Sequence, residues 1–447
     1  MSSITNHFIH GFALVSIDST LQIKDIMKAR NLLMDFELSA KAKDYVKRTK
    51  AFIKEHIEPI EADFWAEVNA KHNHGDWTTW EVPPIVDELK AKAKAEGLWN
   101  MFLPDDELGA GLSVMEYASV AEETGRSILA PTIFNCNAPD TGNMEVLWRY
   151  GSQEQKDEWL TQLLAGDIRS VFCMTEPDVA SSDATNMAAT AVVEGDEVVL
   201  NGTKWWSSGI GDPHCKVGIF MASTPDESKD RHHQHSMVLV PLDTPGVEIV
   251  RMLPVFGAYD APHGHGEVKF TNVRLPVSSF ISGPGMGFEI AQGRLGPGRI
   301  HHCMRCLGAA EKSLELMVDR GMARTAFHKP IMKLGGNAER LAEARIAIDQ
   351  ARLLTLFAAW KMDKVGALGA MTEISSIKVV APNVLQKVVD DAIQIHGGSG
   401  VSQDTPLTAF FMQARALRLA DGPDEVHKGV IARIELAKRG HFSKKRK

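Results

Sequence analysis

The feature that most constrains this chain is a double switch in hydrophobic period, from helical spacing to alternation and back again. Between Phe36 and about Gly166 apolar residues recur every three to four positions, as in Tyr45, Phe52, Ile53, Ile57 and Ile60, with a break expected at Pro59. Val86–Leu98 and Met115–Thr124 repeat the pattern, and Leu103-Pro104 and Gly109-Ala110-Gly111 separate them. Between about Asp167 and Val277 the period becomes two. The runs "TAVVEGDEVVLNGTKWW", "VGIFMAS", "SMVLVPL", "VEIVRML" and "GEVKFTNVRLP" are short, β-branched and broken by turn residues. "EGDE" between two valine runs reads as a hairpin turn. From Phe288 to Arg439 helical spacing returns in long segments such as Arg340–Asp363 and Ile374–Ile395.

A helix buries a stripe and a strand buries a face, so the two patterns must pack as separate layers. The expectation is a mainly α chain with a central β domain. An N-terminal helical domain spans 36–166, a middle β-barrel or sandwich 167–280 and a C-terminal helical bundle 281–440. Residues 1–35 read as a poorly specified extension, with Met34 as an alternative start, and 441–447 as a solvated basic tail. At 447 residues the chain has enough length for two or three cores.

A formal net charge of −8 argues against a nucleic-acid partner, so any anionic ligand must meet a local group of Arg and Lys. The five cysteines, at 136, 173, 215, 303 and 306, are too few and too irregular for a secreted disulfide framework, which points to a reducing cytoplasm. The apolar run Phe8–Ile17 has no Lys or Arg before it and is interrupted by His10 and Gly11, unlike a signal peptide. No stretch approaches the ~18–20 apolar residues of a membrane helix.

The block "FCMTEPDVASSDATN", followed by "LNGTKWWSSG" and later by "DAIQIHGGSGV", resembles the acyl-CoA dehydrogenase family in content and order. "NCNAPDTGN" and "ADGPDEVH" look like the subgroup that eukaryotes fuse to an aminoglycoside-phosphotransferase-like domain, and no such kinase-like domain is expected here. The resemblance implies the family's fold across roughly residues 36–440 and FAD as cofactor. It implies that Met174 and Thr175 line the isoalloxazine edge, that Trp206 walls one face, and that Ser208 contacts the flavin. It places Ser181 or Ser182 near the pyrophosphate or ligand. Arg324 and Phe327 in "ARTAFHKP" would reach FAD bound by a neighbouring subunit, where a guanidinium's planar fork suits phosphate oxygens. Gln394, Gly397 and Gly398 would serve the adenosine side, and Pro423 and Glu425 also fall among the cofactor positions. A Gln that many relatives carry aligns with Gly335, so fewer cross-subunit contacts are expected.

Oxidation between the α and β carbons of a thioester needs a base for the α-proton while hydride leaves the β carbon for flavin N5. By resemblance that base is Asp421 in "RALRLADGPDEVHK", with the main chain at Gly422 helping to polarise the carbonyl. Asp is one methylene shorter than Glu, so the substrate must sit closer by about 1–1.5 Å. Burial against flavin and acyl chain should raise its pKa. The competing role for Asp421 is a helix N-cap, with Asp424 as another candidate. Gly298 occupies the position where other members carry the base, and Arg299 is expected to bind near substrate and support the carboxylate, unless it pairs with a surface acid.

Other signals are weaker. "GPGMGF" at 283–288 lacks the Lys-Ser/Thr of a phosphate-binding loop and reads as a turn before a helix. Cys303 and Cys306 in "HHCMRC" have no second pair at zinc spacing, so no metal is expected. "HHQH" at 232–235 reads as an exposed loop, and His263 and His265 fall in a region that relatives place near flavin. The expected partners are an acyl-CoA, electron-transfer flavoprotein as acceptor, and further copies of the chain in a homodimer or homotetramer. The rival readings are a nitroalkane oxidase, which also uses an Asp base, an acyl-CoA oxidase, and a non-catalytic acyl-CoA or FAD-binding scaffold.

Overall fold

Helices precede and follow a central sheet along the chain, as the period switch predicts, and the two helical parts pack against each other. The computed structural model describes residues 35–226, 228 and 233–441, so positions 1–34 of the expected extension, His232 of the "HHQH" loop and the tail from 442 lie outside the described residues. The helices and strands all belong to the unit that begins at Leu38.

Ser39 caps the first helix, α1 (Ala40–Phe52), by accepting the Ala42 N–H. A π-helical turn over Ile53–Ile57 leads into α2 (Glu58–His72). Pro59 therefore does not end the run as expected: it sits in the first turn of α2, where a missing N–H leaves no bond unmade. Helix α3 (Ile85–Ala95) follows, then α4 (Val114–Thr124), which opens on a capping box between Ser113 and Glu116. The short α5 (Ala130–Ile133), then α6 (Asp140–Tyr150), α7 (Gln153–Gln155) and α8 (Thr161–Ala165), complete this part.

The sheet has seven strands: β1 (Arg169–Cys173), β2 (Thr190–Glu194), β3 (Glu197–Ser208), β4 (Cys215–Ser223), β5 (His235–Pro241), β6 (Val247–Met252) and β7 (His265–Pro276). Its order is β1-β4-β2-β3-β7-β6, with β5 on β4. The "EGDE" turn joins β2 and β3 as Glu194 pairs with Glu197, and Gly195 takes the left-handed φ of +66° that such a turn requires. The alternating segments did not reveal β1, which lies parallel to β4. Its "RSVFC" is too short to show a period.

The second helical layer comprises α9 (Gly287–Ala323), α10 (Asn337–Gly369), α11 (Met371–His396), α12 (Leu407–Leu417) and α13 (Asp424–Lys438). Helix α9 runs against α11, α10 and, from the first layer, α4. Two glycines allow that last approach. A Cβ on Gly308 would stand 1.9 Å from the Glu122 carbonyl oxygen, and one on Gly125 would stand 2.2 Å from that of Arg305. The middle of α9 is thus held backbone to backbone against the end of α4. A two-stranded hairpin, β8 (Thr325–Ala326) with β9 (Lys329–Pro330), follows α9. Among the described residues no helix is long and apolar enough to cross a membrane.

Candidate active site

The end of β1 and the middle of β3 form one wall. The Trp205 N–H donates to Thr175 O at 2.9 Å, which ties the segment after β1 to β3. Beneath it lies a buried pair that sequence reasoning missed. Lys204 is fully buried and donates to Met174 O (3.0 Å) and to Glu176 Oε1 (2.7 Å), while the Glu176 carboxylate also accepts the N–H groups of Ala188 and Ala189. Nothing in "TEP" or "GTKWW" distinguishes this pair from ordinary surface charges.

Trp206 stands where the register of β3 with β7 shifts, between Lys204 and Ser207. Its φ is +52° and it remains 41% exposed. A bulge that forces a bulky residue into left-handed backbone re-aims its side chain, and such strain gathers at functional sites. The Trp206 ring lies 5.9 Å from that of His265, and Ser208 Oγ is 2.8 Å from His265 Nδ1. The opposite nitrogen of His265 faces Asp260 Oδ2 at 3.4 Å. Trp206 and Ser208 therefore meet at one patch around His265, and the main chain of Met174 and Thr175 is tied to the preceding residues of β3. The two serines of the loop differ: Ser181 Oγ accepts the Glu176 N–H at 2.9 Å, whereas Ser182 is exposed.

Asp421 occupies a turn between α12 and α13. It has φ +54°, and Gly422 follows at +103°, where a Cβ would also meet His427 Nε2 at 2.9 Å. Two side chains fix the turn through the Asp421 carbonyl oxygen, which accepts from Arg299 Nε (3.1 Å) and His427 Nε2 (3.2 Å). Arg299 thus supports Asp421 through its main chain. The carboxylate is 24% exposed, and Oδ2 lies 3.4 Å from His302 Nε2. Its pKa is not raised as expected: burial pushes it up, but His302 and the charges of Arg294, Arg299 and Lys378 outweigh burial and hold it below the usual carboxylate range. The group is ionised at neutral pH. Asp421 does not cap α13, which begins after Pro423 without any side-chain cap. Asp424 accepts from Arg418 Nε (2.9 Å) and Asn383 Nδ2 (3.1 Å) instead.

Three of the surrounding groups were not legible in the sequence. Arg294 stacks on Phe172 at 4.0 Å and its Nε has no partner among the described residues. Lys378, fully buried on α11, donates to Leu417 O. His302 also lines a cleft of about 200 Å³ shared with Trp65, Leu129, Thr132, Arg169 and His263. Read locally, "HHCMRC" offers only a possible metal spacing, and Cys303 and Cys306 are buried thiols with raised pKa, chiefly through burial. Among the described residues no group of three or more His, Cys, Asp or Glu could hold a metal.

The remaining predicted positions are exposed, except Pro423, which is half-buried in the turn after Asp421. Arg324 is exposed, and Phe327, 85% exposed with φ +48°, forms the tip of the β8–β9 hairpin. Gln394, Gly397 and Gly398 are exposed at the end of α11, and Glu425 is exposed in the first turn of α13.

The helical, β and helical order around such a site defines the acyl-CoA dehydrogenase architecture, and comparison with known proteins agrees. Family models match for the acyl-CoA dehydrogenase N-terminal domain (39–167), middle domain (171–273) and C-terminal domain (285–436). The chain is 54% identical to acyl-CoA dehydrogenase family member 11 of Gallus gallus over 90% of its own length and 51% of that protein. It is 51% identical to the probable acyl-CoA dehydrogenase FadE2 of Mycobacterium tuberculosis over 91% of its length and 98% of that protein. A Mycobacterium abscessus protein of solved structure, assigned to the acyl-CoA dehydrogenases, is 63% identical and superimposes with a TM-score of 0.88 over 90% of this chain and 100% of its own. The chain belongs to the acyl-CoA dehydrogenase family. It spans about half the length of the family member 11 proteins it matches.

Proposed function

We propose that this chain is an FAD-dependent dehydrogenase that introduces a trans double bond between the α and β carbons of an acyl-CoA. The observation that carries the reading is Asp421: an ionised, half-buried carboxylate on a strained turn, ringed by cations and one side chain from a cleft. A base kept anionic at neutral pH can take an α-proton without first losing one of its own. Arg299 and His427 hold its main chain, so the carboxylate is presented from a fixed backbone. The main chain at Gly422 is suited to polarise the thioester carbonyl.

The patch on β3 fits a flavin. Trp206 offers an open aromatic face, Ser208 a hydroxyl at its edge, and Met174 and Thr175 the rim, all braced by the buried Lys204–Glu176 pair. Ser182, exposed where Ser181 is engaged, is the better placed of the two to meet a ligand. Bound FAD supplies a hydride acceptor at N5. Arg324 and Phe327, together with Gln394, Gly397, Gly398, Pro423 and Glu425, complete the cofactor site across a subunit boundary, which requires a homodimer or homotetramer. Electron-transfer flavoprotein is the electron acceptor.

Anaerobic bleaching of the flavin's visible band across a panel of acyl-CoA thioesters and nitroalkanes tests the proposal. Bleaching by acyl-CoAs alone supports it. Bleaching by nitroalkanes alone would replace it with nitroalkane oxidation, and no bleaching by either would leave a binding scaffold.

A further inference from the structure

An aspartate base poses a problem of aim, because the torsion that sets the carboxylate plane is broad and roughly two-fold. Asp421 is half-buried rather than wedged, so packing alone does not select which oxygen faces the substrate. We infer that His302 is a positioning residue that fixes the Asp421 carboxylate by offering its Nε2–H to Oδ2, leaving Oδ1 for the α-hydrogen. The inference rests on the proposal that Asp421 is the base.

The tautomer follows from the partner on the other side of the ring. Arg305 Nη2 lies 3.2 Å from His302 Nδ1, and a guanidinium can only donate, so Nδ1 accepts and the proton resides on Nε2. That nitrogen is the one 3.4 Å from Asp421 Oδ2. In this structure the pair stands at ion-pair distance without hydrogen-bond alignment, and catalytic contacts often align only when substrate closes the site. Arg305 is itself anchored: it is buried, and its Nη1 donates to Cys136 O at 3.2 Å. Its carbonyl lies where Gly125 lets the end of α4 press against α9. A chain of contacts thus runs from the first helical layer through Arg305 and His302 to the carboxylate. The two residues are three apart on α9 and so share a face.

His302 is not a second proton acceptor. Burial, then the Arg305 charge, pushes its pKa down to about 3, so the ring stays neutral and donates. The charged groups around it are Arg294 and Arg305 on its own helix, Lys378 from α11, and Asp421. Only the last attracts a proton to it. The donated hydrogen in turn stabilises the Asp421 anion, so loss of His302 should raise the pH at which the base becomes active.

Two polar variants separate positioning from packing, with the full-length FAD-loaded protein as the reference. In His302→Asn the amide can still accept from Arg305 but is too short to reach Asp421. In His302→Gln the side-chain nitrogen reaches the place of Nε2. The readouts are kcat and KM, the acid limb of the kcat/KM profile, and exchange of the α-hydrogens of a 3-thiaacyl-CoA with D2O. That analogue can lose an α-proton but has no β-hydride to give. For Asn we expect kcat and exchange to fall about 10- to 100-fold, the worth of a hydrogen bond to a charged group, with the acid limb moved to higher pH and KM little changed. For Gln we expect most of both to return. Equal behaviour of Asn and Gln, or an unshifted acid limb in Asn, would overturn the role of His302 while Asp421→Asn still abolished exchange. Undiminished exchange in Asp421→Asn would instead remove the base itself, and the inference with it.

Discussion

Replacing Lys204 with methionine tests how the flavin wall is built. The ammonium is fully buried, donating to Met174 O at 3.0 Å and Glu176 Oε1 at 2.7 Å. Methionine fills nearly the same volume, so little of the effect should come from packing. What remains is a Glu176 carboxylate, 4% exposed, held only by the N–H groups of Ala188 and Ala189, together with a Met174 carbonyl that has lost its donor. Removing one partner of a buried pair leaves an uncompensated charge and costs about 3–5 kcal/mol, far above the ~0–1 kcal/mol of an exposed pair. The same loss frees the segment after β1, so FAD retention should weaken in parallel. Adding Glu176→Gln removes the stranded charge and should recover about 1–3 kcal/mol. Urea unfolding followed by tryptophan fluorescence, with FAD release measured on the same samples, reads both effects. A Lys204→Met protein within about 1 kcal/mol of wild type, or a double variant no more stable than the single, would refute the reasoning.

Glu145 is buried, and burial raises its pKa to about 7 against the partial offset of Arg149 and Arg294. Between the ordinary carboxyl range and that value the folded chain holds a proton that the unfolded chain has released, so stability falls as pH rises through this window. Glu145→Gln should therefore gain on the order of 3 kcal/mol over wild type at about pH 8 and little at about pH 5; parallel denaturation midpoints at both would contradict this. Trp206 is 41% exposed, so Trp206→Ala should leave unfolding within about 1 kcal/mol of wild type while FAD affinity falls about tenfold, read by flavin fluorescence on titration. Arg324→Ala should weaken FAD binding and the oligomer together in sedimentation; unchanged FAD affinity would remove its cross-subunit role.

The layer order was legible because it depends on a period repeated over many residues. A long helix such as Met371–His396 or a paired run such as Cys215–Ser223 declares itself several times over. Features set by one residue were not. Pro59 reads as a break until the π-helical turn before it places it at a helix start, and the Trp206 bulge depends on β3 slipping against β7. The surroundings of Asp421 were hidden for a related reason. Arg299 meets it across 122 positions, His302 comes from the same helix and Lys378 from α11, so no spacing near Asp421 reveals them. The direction of its pKa is hidden in the same way: burial can be guessed from an apolar site, but three converging cations cannot.

Removal of the α-proton by the Asp421 carboxylate is tested most directly by single-turnover reduction of Asp421→Asn under anaerobic conditions. Asparagine keeps the shape but cannot act as a base. We expect yellow, FAD-loaded protein with wild-type unfolding, whose flavin bleaches with acyl-CoA at least about 100-fold more slowly than wild type. Bleaching of that variant at close to the wild-type rate would contradict a base at position 421.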